Sequence, residues 1–70
     1  MKTLAELEEK VQKEIQVVQT TMMDSPMSAC HHLMKGVGFV QAFGEMMGWE
    51  VRPLEDRLNQ QTIEVLKRQL

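Results

Sequence analysis

Three sulfur-bearing residues near the middle of the sequence have the spacing of a soft-metal site. Met27, Cys30 and Met34 are related as i, i+3 and i+7, which places their side chains on one face of a helix. Thiolate and thioether ligands select Cu(I), and the two histidines that follow the cysteine could add a nitrogen ligand. A second segment usually supplies further ligands to such a site, and only two methionines lie close enough in sequence. Cu(I) binding is therefore the alternative function that the sequence offers.

The run Cys30-His31-His32 also contains the residue types of zinc sites and of cysteine nucleophiles. Successive side chains on a helix diverge by about 100°, so these three cannot by themselves form the tetrahedron that zinc prefers. A catalytic thiol needs an imidazole within hydrogen-bond reach and a third group that orients it, which neighbours on a helix do not provide. We therefore predict no enzyme activity, no catalytic residues, no cofactor and no small-molecule substrate.

Length and charge narrow the remaining classes of protein. Seventy residues predict a single helical domain, 1–70, and one cysteine excludes an internal disulfide. A net charge of −2 with scattered basic residues predicts no binding to nucleic acid or to a membrane surface. The longest weakly charged stretch is interrupted by Lys35 and Glu45, so it does not supply the roughly 20 apolar residues of a membrane span. The lone cysteine and the lack of a signal-peptide pattern lead us to expect a cytoplasmic protein.

The first helix is predicted over about residues 3–23. Thr3 and Glu6 form a T-x-x-E capping box, in which each side chain accepts a hydrogen bond from a free amide of the first turn. Glu6 also lies four residues before Lys10, in the favoured orientation for an ion pair. Apolar residues recur with helical spacing along one face: Leu4, Leu7, Val11, Ile15, Val18 and Met22. This pattern predicts an amphipathic helix with a charged outer face.

One predicted turn separates the first helix from the second, and another separates the second from the third. Ser25 is placed to cap a helix that begins with proline and runs over about 26–47. Gly48 is predicted to end that helix as its C′ residue. A second proline then opens a third helix over about 53–69, whose middle is diluted by polar residues. We expect the third helix to pack least well of the three.

The glycines of the second helix allow two interpretations. In one, the helix is continuous or kinked, and the glycines let another helix approach closely, with Gly44 and Gly48 spaced as a G-x-x-x-G pair. In the other, Gly36-Val37-Gly38 divides it into two pieces, since each glycine costs about 1 kcal/mol in a helix. We favour the first. The predicted fold is all-α: a small three-helix protein, consisting of a helical hairpin plus a C-terminal helix, that self-associates.

The apolar face of the second helix is the predicted binding surface. Its aromatic residues and the following tryptophan lie within eleven residues and are expected to form one cluster, either in the core or at an interface. We predict a non-catalytic interaction module (an adaptor, an inhibitor or a minor structural subunit of an assembly) that docks on a protein partner or on itself, with a homo-oligomer expected. The predicted partner-binding residues are Leu33, Val37, Phe39, Val40, Phe43, Met46, Met47 and Trp49.

Overall fold

Three helices account for most of the chain. The computed structural model describes residues 2–70 and contains α1 (Leu4–Thr21), α2 (Pro26–Met47) and α3 (Arg52–Lys67). They form an elongated bundle of 38 × 17 × 15 Å, and no strand occurs in residues 2–70. The prediction of an all-α, three-helix protein is confirmed. The bounds of α2 match the prediction, and those of α1 and α3 differ from it by one or two residues at each end.

Contacts between side chains fix the directions of the helices. Lys10 of α1 lies over the ring of Phe39, while Glu14, one turn further along α1, meets His32, which lies earlier in α2. The numbering thus runs in opposite directions, and α1 and α2 are antiparallel, as the short turn between them predicts. The α2–α3 turn reverses the chain again. The bundle is therefore an up-down-up arrangement.

The start of α1 is capped, although only in part as predicted. The Thr3 hydroxyl oxygen accepts a hydrogen bond from the Glu6 N–H at 3.1 Å, which confirms half of the capping box. The Glu6 carboxylate accepts from the Lys2 N–H at 3.4 Å and from the Thr3 hydroxyl, so the reciprocal bond to the Thr3 amide is replaced. The predicted Glu6–Lys10 pair is also wrong: Lys10 extends toward α2 and pairs with Glu14 at 3.1 Å.

The core is entirely apolar. No polar or charged residue among residues 2–70 is buried, so burial of aliphatic side chains is the main stabilising term. The predicted face of α1 supplies four of these side chains, while its two ends, Leu4 and Met22, are half-buried against the core. The full set is Leu7, Val11, Ile15, Val18, Ala29, Leu33, Val40, Val51, Leu54, Leu58 and Val65.

The closest helix pairing is between α2 and α3, so the expectation that α3 packs least well is wrong. Two glycines on the inner face of α2 explain this. A β-carbon at Gly36 would lie 3.4 Å from the Leu58 Cδ1, and one at Gly44 would lie 2.6 Å from the Val51 Cγ2. Asn59 and Gln60 in the polar middle of α3 are exposed, whereas Leu58 reaches the core beside Gly36.

The structure confirms the predicted positions of both ends of α2, but not the capping hydrogen bond of Ser25. Gly48 adopts a left-handed conformation (φ 71°), and the Trp49 N–H donates to the Gly44 carbonyl at 3.0 Å, which confirms Gly48 as the C′ residue. Gly44 and Gly48 therefore belong to this helix end and do not form a G-x-x-x-G contact between helices. Ser25 occupies the N-cap position, but its hydroxyl donates to the Ser28 hydroxyl and makes no cap hydrogen bond.

Helix α2 is uninterrupted at Gly36 and Gly38, which excludes the interpretation in which it breaks into two pieces.

None of the helices in residues 2–70 is long and apolar enough to cross a membrane.

Alanine substitutions should separate the two kinds of glycine in α2. We expect Gly38→Ala to raise the free energy of unfolding by about 1 kcal/mol, because nothing lies within 4 Å of its β-carbon position. Gly44→Ala should lower it by about 1–3 kcal/mol through overpacking against Val51. Urea unfolding followed by helical circular dichroism measures both. Equal responses at the two positions would contradict the packing of the α2–α3 corner.

Candidate functional site

The structure divides the eight predicted partner-binding residues into an interior and an outer group. Leu33 and Val40 are fully buried in the core, where they hold α2 against its neighbours. Val37, Phe43 and Trp49 are half-buried and pack against that core. These five side chains therefore hold α2 in place, and Phe43 and Trp49 also reach the surface.

The outer group consists of Phe39, Met46 and Met47, which are 36%, 69% and 43% exposed. Met46 lies seven residues after Phe39, so the two side chains share a flank of the helix. Together with the half-buried Phe43 and Trp49, these residues form a surface that we call the aromatic flank.

The three aromatic rings form one row, as the sequence predicts. The ring centroids of Phe39 and Phe43 are 4.9 Å apart, and those of Phe43 and Trp49 are 6.5 Å apart with the planes nearly parallel. The left-handed turn at Gly48 brings the tryptophan back over the last turn of α2. Such pairs contribute about 0.5–1.5 kcal/mol beyond their burial, so this row is a rigid edge of the bundle.

A groove of about 250 Å³ opens beside this row, between α1 and α2. Its floor is apolar and is formed by Val11, Val40 and Leu58, with the glycine surface at Gly36 adding room. Phe39 forms one wall. We call this feature the α1–α2 groove; it places an exposed aromatic ring beside a concave apolar surface.

Charged side chains surround the α1–α2 groove. Lys10 pairs with Glu14 at 3.1 Å and lies 5.1 Å above the centroid of the Phe39 ring, while the His32 Nε2 lies against the Glu14 carboxylate. Lys35 also lines the groove and has no ion-pair partner among residues 2–70. The two lysines and the one glutamate of the rim together carry a formal charge of +1.

The sequence analysis did not identify this polar rim. Lys10 and Phe39 are 29 positions apart in the chain and approach only after α1 and α2 have packed. In the sequence, Lys10 and Glu14 look like parts of a solvated face, because charged residues surround them. No local signal distinguishes them from the other charges of α1.

A second groove lies on the opposite flank of α2, where it meets the end of α3. Met27 and Met34 are 85% and 67% exposed there, and Leu66 of α3 is 53% exposed. We call it the α2–α3 groove. The residues that line it are Pro26, Met27, Cys30, His31, Met34 and Leu66.

This geometry bears on both metal hypotheses, on the additional ligands for Cu(I) and on the ligand set for zinc. Met22 and Met23, the methionines near enough in sequence to add ligands, are half-buried against the core and do not line the α2–α3 groove. Within residues 2–70, no group of three His, Cys, Asp or Glu side chains is placed to hold a metal ion. The three residues with the soft-metal spacing nevertheless line one groove.

Comparison with known proteins gives no relative from which a function could be transferred. No family model matches the chain, and no curated protein or solved structure matches it. The two grooves and the side chains around them are therefore the basis for a functional proposal.

Removing the Phe39 ring should leave the fold intact. We expect Phe39→Ala to lower the free energy of unfolding by about 1–3 kcal/mol, because the ring is partly exposed and the aromatic pair adds about 0.5–1.5 kcal/mol to the worth of the buried part. Leu58→Ala, at a fully buried position under the same groove, should cost about 2–5 kcal/mol. Urea unfolding followed by Trp49 fluorescence compares the two variants. Equal losses would assign Phe39 to the core.

Proposed function

We propose that this chain is a small, non-catalytic protein-interaction module that binds an amphipathic helix of a partner protein. The binding surface is the α1–α2 groove together with the aromatic flank. The observation that carries the proposal is the exposed Phe39 ring beside a concave apolar floor with lysines at its rim. Helix-in-groove recognition uses this combination of apolar anchors and flanking charges.

The size of the groove supports a partner side chain as its occupant. Pockets for small molecules enclose about 300–1,000 Å³, and the α1–α2 groove, at about 250 Å³, falls below that range. It suits one or two apolar anchors that project from a larger binding surface. Met46 and Met47 extend this surface along α2, and methionine adapts well to the shape of a partner.

The charge of the rim favours an acidic partner. Lys10 and Lys35 border the groove, and Glu14 is already in contact with Lys10 and with His32. A partner helix with glutamates beside its apolar anchors complements this arrangement, whereas a symmetric dimer through this groove would bring two positively charged rims together. Like charges across an interface disfavour it, so the groove fits a different protein better than it fits itself.

Two synthetic helical peptides test this proposal. Both carry leucines at i, i+3, i+4 and i+7, and the flanking residues are glutamates in one and lysines in the other. We expect the glutamate peptide to bind about fivefold more tightly at low salt, from two exposed ion pairs worth about 1 kcal/mol together. In an NMR titration its binding should shift the amide signals of Lys35, Gly36 and Phe39.

Variants of the chain provide the controls. Lys35→Glu should reverse the preference between the peptides, whereas Lys67→Glu, the same change outside the groove, should leave it in place. Phe39→Ala should weaken binding of both peptides. Equal binding of the two peptides by the wild type, or amide shifts confined to α3, would contradict the proposal.

Self-association is the other mode of docking that we propose. We expect it to be weak because of the lysines at the groove, so the mass measured by light scattering on a size-exclusion column should fall toward the 8.1 kDa of one chain as the protein is diluted. An oligomer that survives dilution in the wild type, and that Phe39→Ala dissociates, would identify a second copy as the true occupant of the groove.

A further inference from the structure

The α2–α3 groove plays no part in the proposed docking, and its lining is unusual in its chemistry. Met27, Cys30 and Met34 of α2 all line it, together with His31 and with Leu66 of α3. We propose that this groove binds one Cu(I) ion through the sulfur atoms of Met27, Cys30 and Met34. The site is distinct from the α1–α2 groove, so the two proposals can fail independently.

The placement of the three residues on α2 allows their sulfur atoms to converge. Met27 and Met34 are seven residues apart, or about 10.5 Å along the helix axis at 1.5 Å per residue. Cys30 lies between them, and side chains three or four residues apart on a helix have their β-carbons about 5–6 Å apart. The Met34 side chain leans toward the helix N-terminus and hence toward Cys30, whereas Met27, in the first turn, has to turn its unbranched side chain toward the C-terminus to reach it. The two thioethers can therefore close over a metal bound to the Cys30 sulfur.

The difference in burial among the three suits this arrangement. Cys30 is half-buried and packs against the core, which fixes the position of its sulfur. Met27 and Met34 are mostly exposed, so both side chains are free to reorient without disturbing the core. A fixed thiolate with two adjustable thioethers provides three ligands from a single helix.

The donor set selects the metal. One thiolate and two thioethers are soft ligands, which favour Cu(I) over Zn(II) or Mg(II). No carboxylate lines the groove, and within residues 2–70 no group of three His, Cys, Asp or Glu side chains could hold a harder ion. When Cu(I) binds, the Cys30 thiol releases its proton to solvent and the copper keeps its oxidation state. The step needs no oxidant or reductant.

Competition with bicinchoninate under anaerobic conditions tests the site. The reduced protein is titrated into the Cu(I)–bicinchoninate complex, and loss of its colour reports transfer of the metal. We expect one equivalent of Cu(I) per chain, no displacement by Zn(II), and no transfer to Cys30→Ser. Met34→Leu, which keeps the apolar volume, should weaken binding by about tenfold or more.

Met46→Leu is the matched control, because Met46 is 69% exposed and Met34 is 67% exposed, but Met46 lies outside the groove. It should bind Cu(I) as the wild type does. Circular dichroism of each variant shows that the helices are retained.

No transfer of Cu(I) to the wild type would overturn the proposed site. So would equal affinities of Met34→Leu and wild type, which would show that Met34 is not a ligand. Phe39→Ala should keep Cu(I) binding even where it loses peptide binding, which separates this site from the docking surface.

Discussion

A β-carbon at Gly44 would come within 2.6 Å of the Val51 side chain, so the corner between α2 and α3 closes only because this position has none. Gly36 lets Leu58 approach the middle of α2 in the same way. With α3 held this closely, Leu58 reaches the floor of the α1–α2 groove, and Leu66 forms a wall of the α2–α3 groove. Both candidate sites therefore depend on the glycine face of α2.

Helix α2 contacts the core, the α1–α2 groove and the α2–α3 groove, and the two grooves differ in charge. Its inner face fills the core, whereas the α1 flank is bordered by Lys10, Glu14 and Lys35. The α3 flank has sulfur and aliphatic groups with one histidine, and no formally charged side chain among its lining residues. A charged rim selects a partner by electrostatic complementarity. A sulfur-rich groove without carboxylates instead discriminates among metals by the softness of its ligands.

Local signals in the sequence were sufficient for the helices but not for the surfaces. Pro26 at the first helical position and Gly48 before tryptophan mark the ends of α2, because the fixed φ of proline and the left-handed conformation of glycine are local properties. Val40 and Phe39, by contrast, look equally apolar in sequence, and only the crossing of α1 decides that one is buried and the other partly exposed. The packing of α3 was misjudged because it depends on glycines in another helix.

Under the proposed function, the exposed side chains of α2 contribute to binding rather than to stability. A chain of this length has a free energy of unfolding of about 3.5–10 kcal/mol, and burying one large apolar side chain contributes about 1.5–3 kcal/mol. Phe39, Met46 and Met47 together could thus add a large fraction of the total if the bundle enclosed them. Single exposed hydrophobic residues are ordinary, but Phe39 lines a groove and belongs to a row of three aromatic rings, and Met46 and Met47 follow it on the same helix. Their exposure forgoes stability that the fold could use, and contact with a partner helix would recover it.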